Sequence, residues 1–189
     1  VLGARGGGRF ERLSVGSTST RCATHATVPT VIVRDAPESS GEGTVREPVQ
    51  RIVVGFDGSP NAVDAADWAC TFAAPGSTVD IIAAWEFAPS LFSSEGFHYP
   101  DALLRAKRRY EEQIEQLPAS TRRTDIDVAA SFVEGRPREQ VAERAADADL
   151  VVVGARGRGA IGAALLGSVS TWLLHHVDQP ITVVPQRLD

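Results

Sequence analysis

The residues best placed to do chemistry lie in one stretch near the C-terminal end. Gly154 ends the apolar run Leu150-Val151-Val152-Val153, Gly157 follows after two intervening residues, and Gly167 after nine more, with Ser168 and Ser170 just behind it. A continuous apolar run reads as a buried parallel strand, and the spacing after Ser168 reads as a helix. Glycines before a helix start let backbone N–H groups approach an anion, and the first turn's dipole favours negative charge by about 0.3–1 kcal/mol per exposed charge. The chemistry indicated is phosphate binding, with Arg156 and Arg158 as side-chain donors. Each part also has a plainer reading. Such a loop can be a tight turn, the arginines can be solvated, and Ser168 serves as a helix N-cap with or without a ligand.

Groups that would commit the chain to catalysis are not found in the sequence. It holds no Ser-His-Asp order with a nucleophile elbow, no P-loop GK(S/T) and no HExxH. A phosphate site without an evident base reads as a sensor more than a catalyst. His175 and His176 are adjacent on a helix and point about 100° apart, which does not suit a shared metal that wants positions i and i+4. Cys22 and Cys70 form no CxxC pair and read as packing residues, as do Trp68, Trp85 and Trp172 in a core or interface. The chain has 189 residues, 43% apolar and 23% charged, with a net charge of −5. That acidic balance argues against a dedicated nucleic-acid binder. No run approaches the roughly 18 to 20 apolar residues of a membrane span, and no basic-then-apolar leader opens the sequence, so the expected location is the cytoplasm.

The elements that position the glycine stretch alternate along the chain. Strands are expected at 51–56, 79–85, 126–133, 150–153 and 181–184. Helices are expected from Ser59-Pro60 to Pro75-Gly76, from Asp101 to Leu117, from Pro137 to Ala148 and from Ser168 to Val177. The first helix would bury Ala62, Ala66, Ala69 and Phe72 or Ala73, and the second Leu103, Ala106, Tyr110, Ile114 and Leu117, with Arg105, Lys107, Arg108 and Glu111 in solvent. Residues 86–100 lack periodicity and read as a mobile loop over a pocket. Five strands alternating with helices imply an α/β fold with a doubly wound, five-stranded parallel sheet and helices on both faces, Rossmann-like in plan.

The N-terminal residues repeat the end of the chain. Residues 1–33 align without a gap on 152–184: Gly3, Gly6, Gly16, Ser17, Ser19, His25 and Pro29 match Gly154, Gly157, Gly167, Ser168, Ser170, His176 and Pro180, always 151 positions apart. A fixed offset means duplication of a structural unit. Residues 34–50 are rich in Pro, Glu, Ser and Gly and read as a linker. The organisation expected is a C-terminal remnant of a first domain at 1–33, a linker at 34–50 and a complete domain at 51–187.

The spacing Gly154-x2-Gly157-x9-Gly167-Ser168, with its flanking strand, helix and final strand, resembles the G-x2-G-x9-G-(S/T) signature of the ATP-binding branch of the universal stress protein family. The resemblance implies the strand order 3-2-1-4-5 and a site where the winding reverses, outside the carboxyl ends of the first and fourth strands. It implies ATP with Mg²⁺ as the ligand. Gly55, Phe56, Ala84, Val153 and Val169 would line the adenine pocket, Gly154, Arg156, Gly157, Arg158, Gly167, Ser168 and Ser170 would face the phosphates, and Asp57 would meet the ribose or the Mg²⁺. It further implies a regulatory or sensor module of stress or dormancy responses, and pairing of domains or of two chains through the fifth strand, with Pro29–Val33 against Ile181–Val184. A weak ATP hydrolase or adenylate-transferring enzyme, or a dimerisation domain that binds nothing, are the other readings. The remnant copy, without a first strand, is expected to bind no nucleotide.

Overall fold

A computed structural model describes residues 1–3, 15–34, 48–86, 99–117, 119–158 and 166–186. Its strands are β1 (Leu2–Gly3), β2 (Thr30–Val33), β3 (Arg51–Gly55), β4 (Thr78–Trp85), β5 (Asp127–Glu134), β6 (Leu150–Gly154) and β7 (Ile181–Val184). Its helices are α1 (Ser17–His25), α2 (Pro60–Phe72), α3 (Tyr99–Glu115), α4 (Pro137–Ala145) and α5 (Ser168–His176). One sheet joins the strands in the order β1-β2-β7-β6-β3-β4-β5. The order expected for five strands is present within it, but the sheet is wider. Two strands from the N-terminal repeat extend it to seven among the described residues, and β2 runs antiparallel to β7 while every other pair is parallel.

Why the strands are buried on both sides follows from their alternation. Ile52 and Val54 of β3 and Leu150 and Val152 of β6 face α2 and α3, whereas Val53, Val151 and Val153 face α4 and α5. Small residues let α2 lie close to the sheet: Ala62, Ala65, Ala66 and Ala69 are fully or nearly fully buried. Ser59 caps this helix, its hydroxyl oxygen accepting from the Ala62 amide at 3.2 Å ahead of Pro60. Of the alternatives at its end, Ala73 is buried and Phe72 is half exposed, stacked on Trp68 at 4.8 Å. Arg123 closes α2 by donating to the Cys70 and Ala73 carbonyls while paired with Asp125. Tyr110 and Leu117 of the α3 stripe are buried as expected, and the helix opens two residues earlier than its apolar spacing indicates. The expected loop falls mostly at 87–98, outside the described residues.

Asp80 is a charge that periodicity gave no reason to place inside. It sits on β4 with 8% of its surface exposed and accepts from Arg144 of α4 at 3.0 Å. The pair ties the sheet to the helix that walls the far side of the cavity described below.

The N-terminal repeat keeps its spacing in three dimensions. α1 and α5, and β2 and β7, have bounds 151 positions apart, and the parallel pairs Leu2↔Ile32 and Gly3↔Val33 correspond to Val153↔Val183 and Gly154↔Val184. The antiparallel ladder Thr30↔Val183, Val31↔Thr182, Ile32↔Ile181 is symmetric about its middle pair. Arg34 secures this junction by donating to the Leu174 carbonyl at 2.9 Å.

Two outcomes follow. Amides of 30–32 and 181–183 are expected to exchange with deuterium as slowly as those of β3, and rapid exchange at 30–32 would remove the β2–β7 pairing. Burial, then the nearby Asp67 charge, pushes the Cys70 thiol up to about 11, while Cys22 is partly exposed. One thiol should therefore react with an aromatic disulfide reagent at pH 8 in the native protein and both in denaturant.

Candidate functional site

Where the sheet order reverses, β3 and β6 lie side by side and their chains leave in opposite directions over the two faces. A cavity of about 770 Å³ opens outside their carboxyl ends. This is within the range of roughly 300–1,000 Å³ common to small-molecule sites. Gly55, Phe56, Asp57 and Ala84, Val153 and Gly154, Arg156, Gly157 and Arg158, and Gly167, Ser168, Val169 and Ser170 all line it, so every residue singled out from the sequence is brought to one place.

The cavity has two unlike ends. One is apolar, with Phe56, Ile82, Phe132, Val141 and Val153 on its walls. Tyr110 stands between two of these rings, 6.1 Å from Phe56 and 5.5 Å from Phe132, and its hydroxyl donates to the Ile81 carbonyl at 3.3 Å. Burial, with Asp80 nearby, pushes that phenol well above its usual range, so it stays neutral. The other end is the glycine loop with its arginines.

Four contacts hold the polar end in shape. The Asp57 carboxylate accepts from the Ser59 amide at 2.9 Å through one oxygen and from the Arg158 amide at 2.9 Å through the other. Ser59 in turn donates to the Arg156 carbonyl at 3.3 Å, and Gly167 donates through its amide to the Ala155 carbonyl at 2.8 Å. Asp57 is thus a turn residue that clasps the start of α2 to the loop.

Two expected roles change. Gly167, not Ser168, is the N-cap of α5, in extended conformation and without a side-chain cap bond, while Ser168 is exposed at the first helical position. The first amides of this helix start have no partner within the helix, and Ser168, Val169 and Ser170, which carry them, line the cavity. Ser170 is buried, and its hydroxyl donates to the Gly154 carbonyl at 2.7 Å, which leaves that hydrogen committed to the loop itself. Gly154 also has a packing reason. A β-carbon there would lie 2.8 Å from the Asn61 carbonyl carbon and Cβ, so a side chain would push α2 off the sheet. A Gly154→Val substitution would accordingly test folding before it tested any ligand. At Gly157 a β-carbon would meet the Asp57 carboxylate at 2.5 Å, whereas at Gly167 it would meet the Gly157 nitrogen at 3.4 Å and the Arg156 backbone at 3.6 and 3.7 Å.

Sequence reading missed the wall made by α3. Ala106, Arg109, Tyr110 and Gln113 line the cavity, and their i, i+3, i+4, i+7 spacing is one helical stripe. Part of that stripe was legible as core, and its arginine and glutamine were the unused signal. Gln113 accepts from the Arg158 guanidinium at 2.8 Å and donates to the Gly58 carbonyl at 3.3 Å. Trp85 is half-buried at the rim of the cavity.

Other chemistry-bearing groups lie elsewhere. His176 stacks on Trp172 at 4.1 Å and has Nδ1 2.7 Å from the Trp172 carbonyl. Burial first, then the charges of His176 and Arg34, hold His175 below the usual imidazole range. Among the described residues no three His, Cys, Asp or Glu side chains cluster as metal ligands, and no helix is long and apolar enough to cross a membrane.

The universal stress protein family model matches residues 1–34 and 48–185. Universal stress protein Rv1996 of Mycobacterium tuberculosis is 32% identical over 196 residues, covering 98% of this chain and 59% of that protein. The chain thus spans about three-fifths of the length of the relatives it matches, 59% and 61% for two of them. Among solved structures, a universal stress protein in complex with cAMP is 27% identical with a TM-score of 0.52, covering 74% of this chain and 99% of that one. An Arabidopsis thaliana family member with AMP bound shares the fold at a TM-score of 0.52 and 14% identity, over 72% of this chain and 92% of that one. With the family model matching both the glycine stretch and its N-terminal repeat, the chain belongs to the universal stress protein family.

Proposed function

We propose that this chain is an adenine-nucleotide-binding regulatory module of stress responses, with ATP as the expected ligand. The observation that carries the proposal is the polarity of the cavity, apolar and aromatic at one end, with glycine amides and arginines at the other. A nucleoside phosphate has that same division. The bound AMP and cAMP of the two structural relatives favour an adenine base. In this reading the base lies along Phe56, Ala84, Val153 and Val169, and the phosphates meet Gly157, the first turn of α5 at Ser168, and Arg156 and Arg158.

Asp57 is the carboxylate that lines the cavity among the described residues. After accepting from Ser59 and Arg158 each oxygen keeps a lone pair. That suffices for a ribose hydroxyl, or for one protein ligand to Mg²⁺, an ion commonly held by one or two carboxylates plus phosphates. The residues present fit the ion only together with the phosphates. A cytoplasmic location goes with this reading.

The repeat supports a second part of the proposal, that residues 1–33 are the end of another copy of the fold, 34–50 a linker and 51–187 the complete domain. The Ser19 hydroxyl donates to the Gly3 carbonyl at 2.7 Å, as Ser170 does to Gly154. Gly16 caps α1 in the same extended conformation as Gly167 caps α5. Pairing of β2 with β7 is the intrachain form of the fifth-strand association the resemblance implies.

Two measurements bear on the ligand. Heat-denatured purified protein is expected to release adenine nucleotide, and calorimetry should detect ATP binding. Absence of both up to millimolar ATP would sink the proposal. Gly167→Ala adds a methyl in ordinary contact with the Gly157 amide, so it should fold, yet weaken ATP about tenfold, equivalent to ~1.4 kcal/mol. Unchanged affinity would move the phosphates off this loop.

A further inference from the structure

Arg109 is the cavity-lining cation that the glycine signature does not contain. It lies on α3, exposed, and it makes no hydrogen bond or ion pair with any described residue. Gln113 is one turn further along the same face, about 6 Å along the axis. Gln113 is also where the Arg158 guanidinium is anchored, at 2.8 Å, and it binds the Gly58 carbonyl next to Asp57. These bonds bring the α3 wall to the glycine-loop end of the cavity. Arg109 lines the same cavity one turn from that anchor, beside Tyr110 of the aromatic wall.

Charge sharpens the assignment. Arg109, Arg156 and Arg158 line the cavity, and the carboxylate that lines it, Asp57, already accepts from two backbone amides. The charge lining the cavity is net positive, with cations on both α3 and the loop. A single phosphate near the start of α5 is served by the loop amides, and further phosphates extend the chain of charge beyond them. We propose that Arg109 of α3, one turn from the Gln113 that anchors Arg158, is a ligand for the phosphates beyond the first, so that α3 sets the preference for di- and triphosphates over monophosphates. The proposal rests on the nucleotide reading above.

Calorimetry with AMP, ADP and ATP on the whole chain tests it, using Arg109→Ala, Arg109→Lys and, as a control for charge alone, Arg108→Ala. Arg108 is exposed on the same helix and does not line the cavity. Arg109→Ala is expected to weaken ATP by at least about fivefold, as for a lost charge-assisted bond in a partly screened site. AMP should change by less than about twofold, the scale of a screened exposed charge. Arg109→Lys should fall between, since an ammonium keeps the charge without the bidentate fork. Arg108→Ala should change neither. Equal loss of AMP and ATP in Arg109→Ala, no loss of either, or the same loss in Arg108→Ala would overturn the assignment while leaving the nucleotide reading intact. Failure of the unaltered chain to bind any of the three would overturn both.

Discussion

The contact between Gly154 and the first turn of α2 is the constraint on which the site depends. With hydrogen as its side chain, Gly154 lets the end of β6 lie against the Asn61 backbone. Any larger residue would push α2 away from β6. That approach sets the width of the crevice at the reversal of the sheet. The loop leaving β6 is then near enough for Asp57 to reach the Arg158 amide and for Ser59 to reach the Arg156 carbonyl. Ser170 completes the arrangement from behind by occupying the Gly154 carbonyl. A buried carbonyl left without a partner costs about 1–3 kcal/mol, so this hydroxyl is structural even though it lines the cavity.

The edge of the sheet obeys a different rule. A bare β7 would expose a row of backbone donors and acceptors. β2 covers it, and the symmetry of the ladder about Val31↔Thr182 means that each strand presents the equivalent three residues to the other. The match is not perfect in side chains. Thr182 is fully buried with its hydroxyl oxygen unpartnered, while Val31 opposite it is apolar. Ile32 and Ile181, by contrast, pack in the core shared with α5. The junction is held by backbone pairing and apolar packing, and Arg34 adds one bond to the end of α5.

Much of this architecture was legible because strands and helices of this fold carry simple periods. The apolar runs at β3, β4 and β6 have no alternation because both faces of the sheet are covered, and the Ser59-Pro60 start of α2 is a local signal. The glycines and Asp57, singled out in the sequence, do line one cavity. What escaped were features that depend on two distant segments meeting. The buried Asp80 is explained only by Arg144, and Gly154 only by Asn61. Ser168 resembled an N-cap by type, but the conformation of Gly167 moves the cap back one residue. The α3 stripe was visible as core, yet periodicity cannot say that its arginine and glutamine face a cavity instead of solvent.

The two copies of the loop separate what is local from what is not. Ser19 and Ser170 make the same bond to the carbonyl of a strand-ending glycine, and Gly16 and Gly167 begin their helices with nearly the same backbone angles. These features need only the sequence around them. The cavity described above lies beside β6, where the turn after β3 supplies Asp57, β4 supplies Ile82 and Ala84, and α3 supplies Tyr110 and Gln113. Among the described residues β1 has β2 as its one neighbour in the sheet. The same strand–loop–helix grammar therefore occurs twice, but the crevice that would turn it into a binding site is made by the adjoining strand and the helix over it.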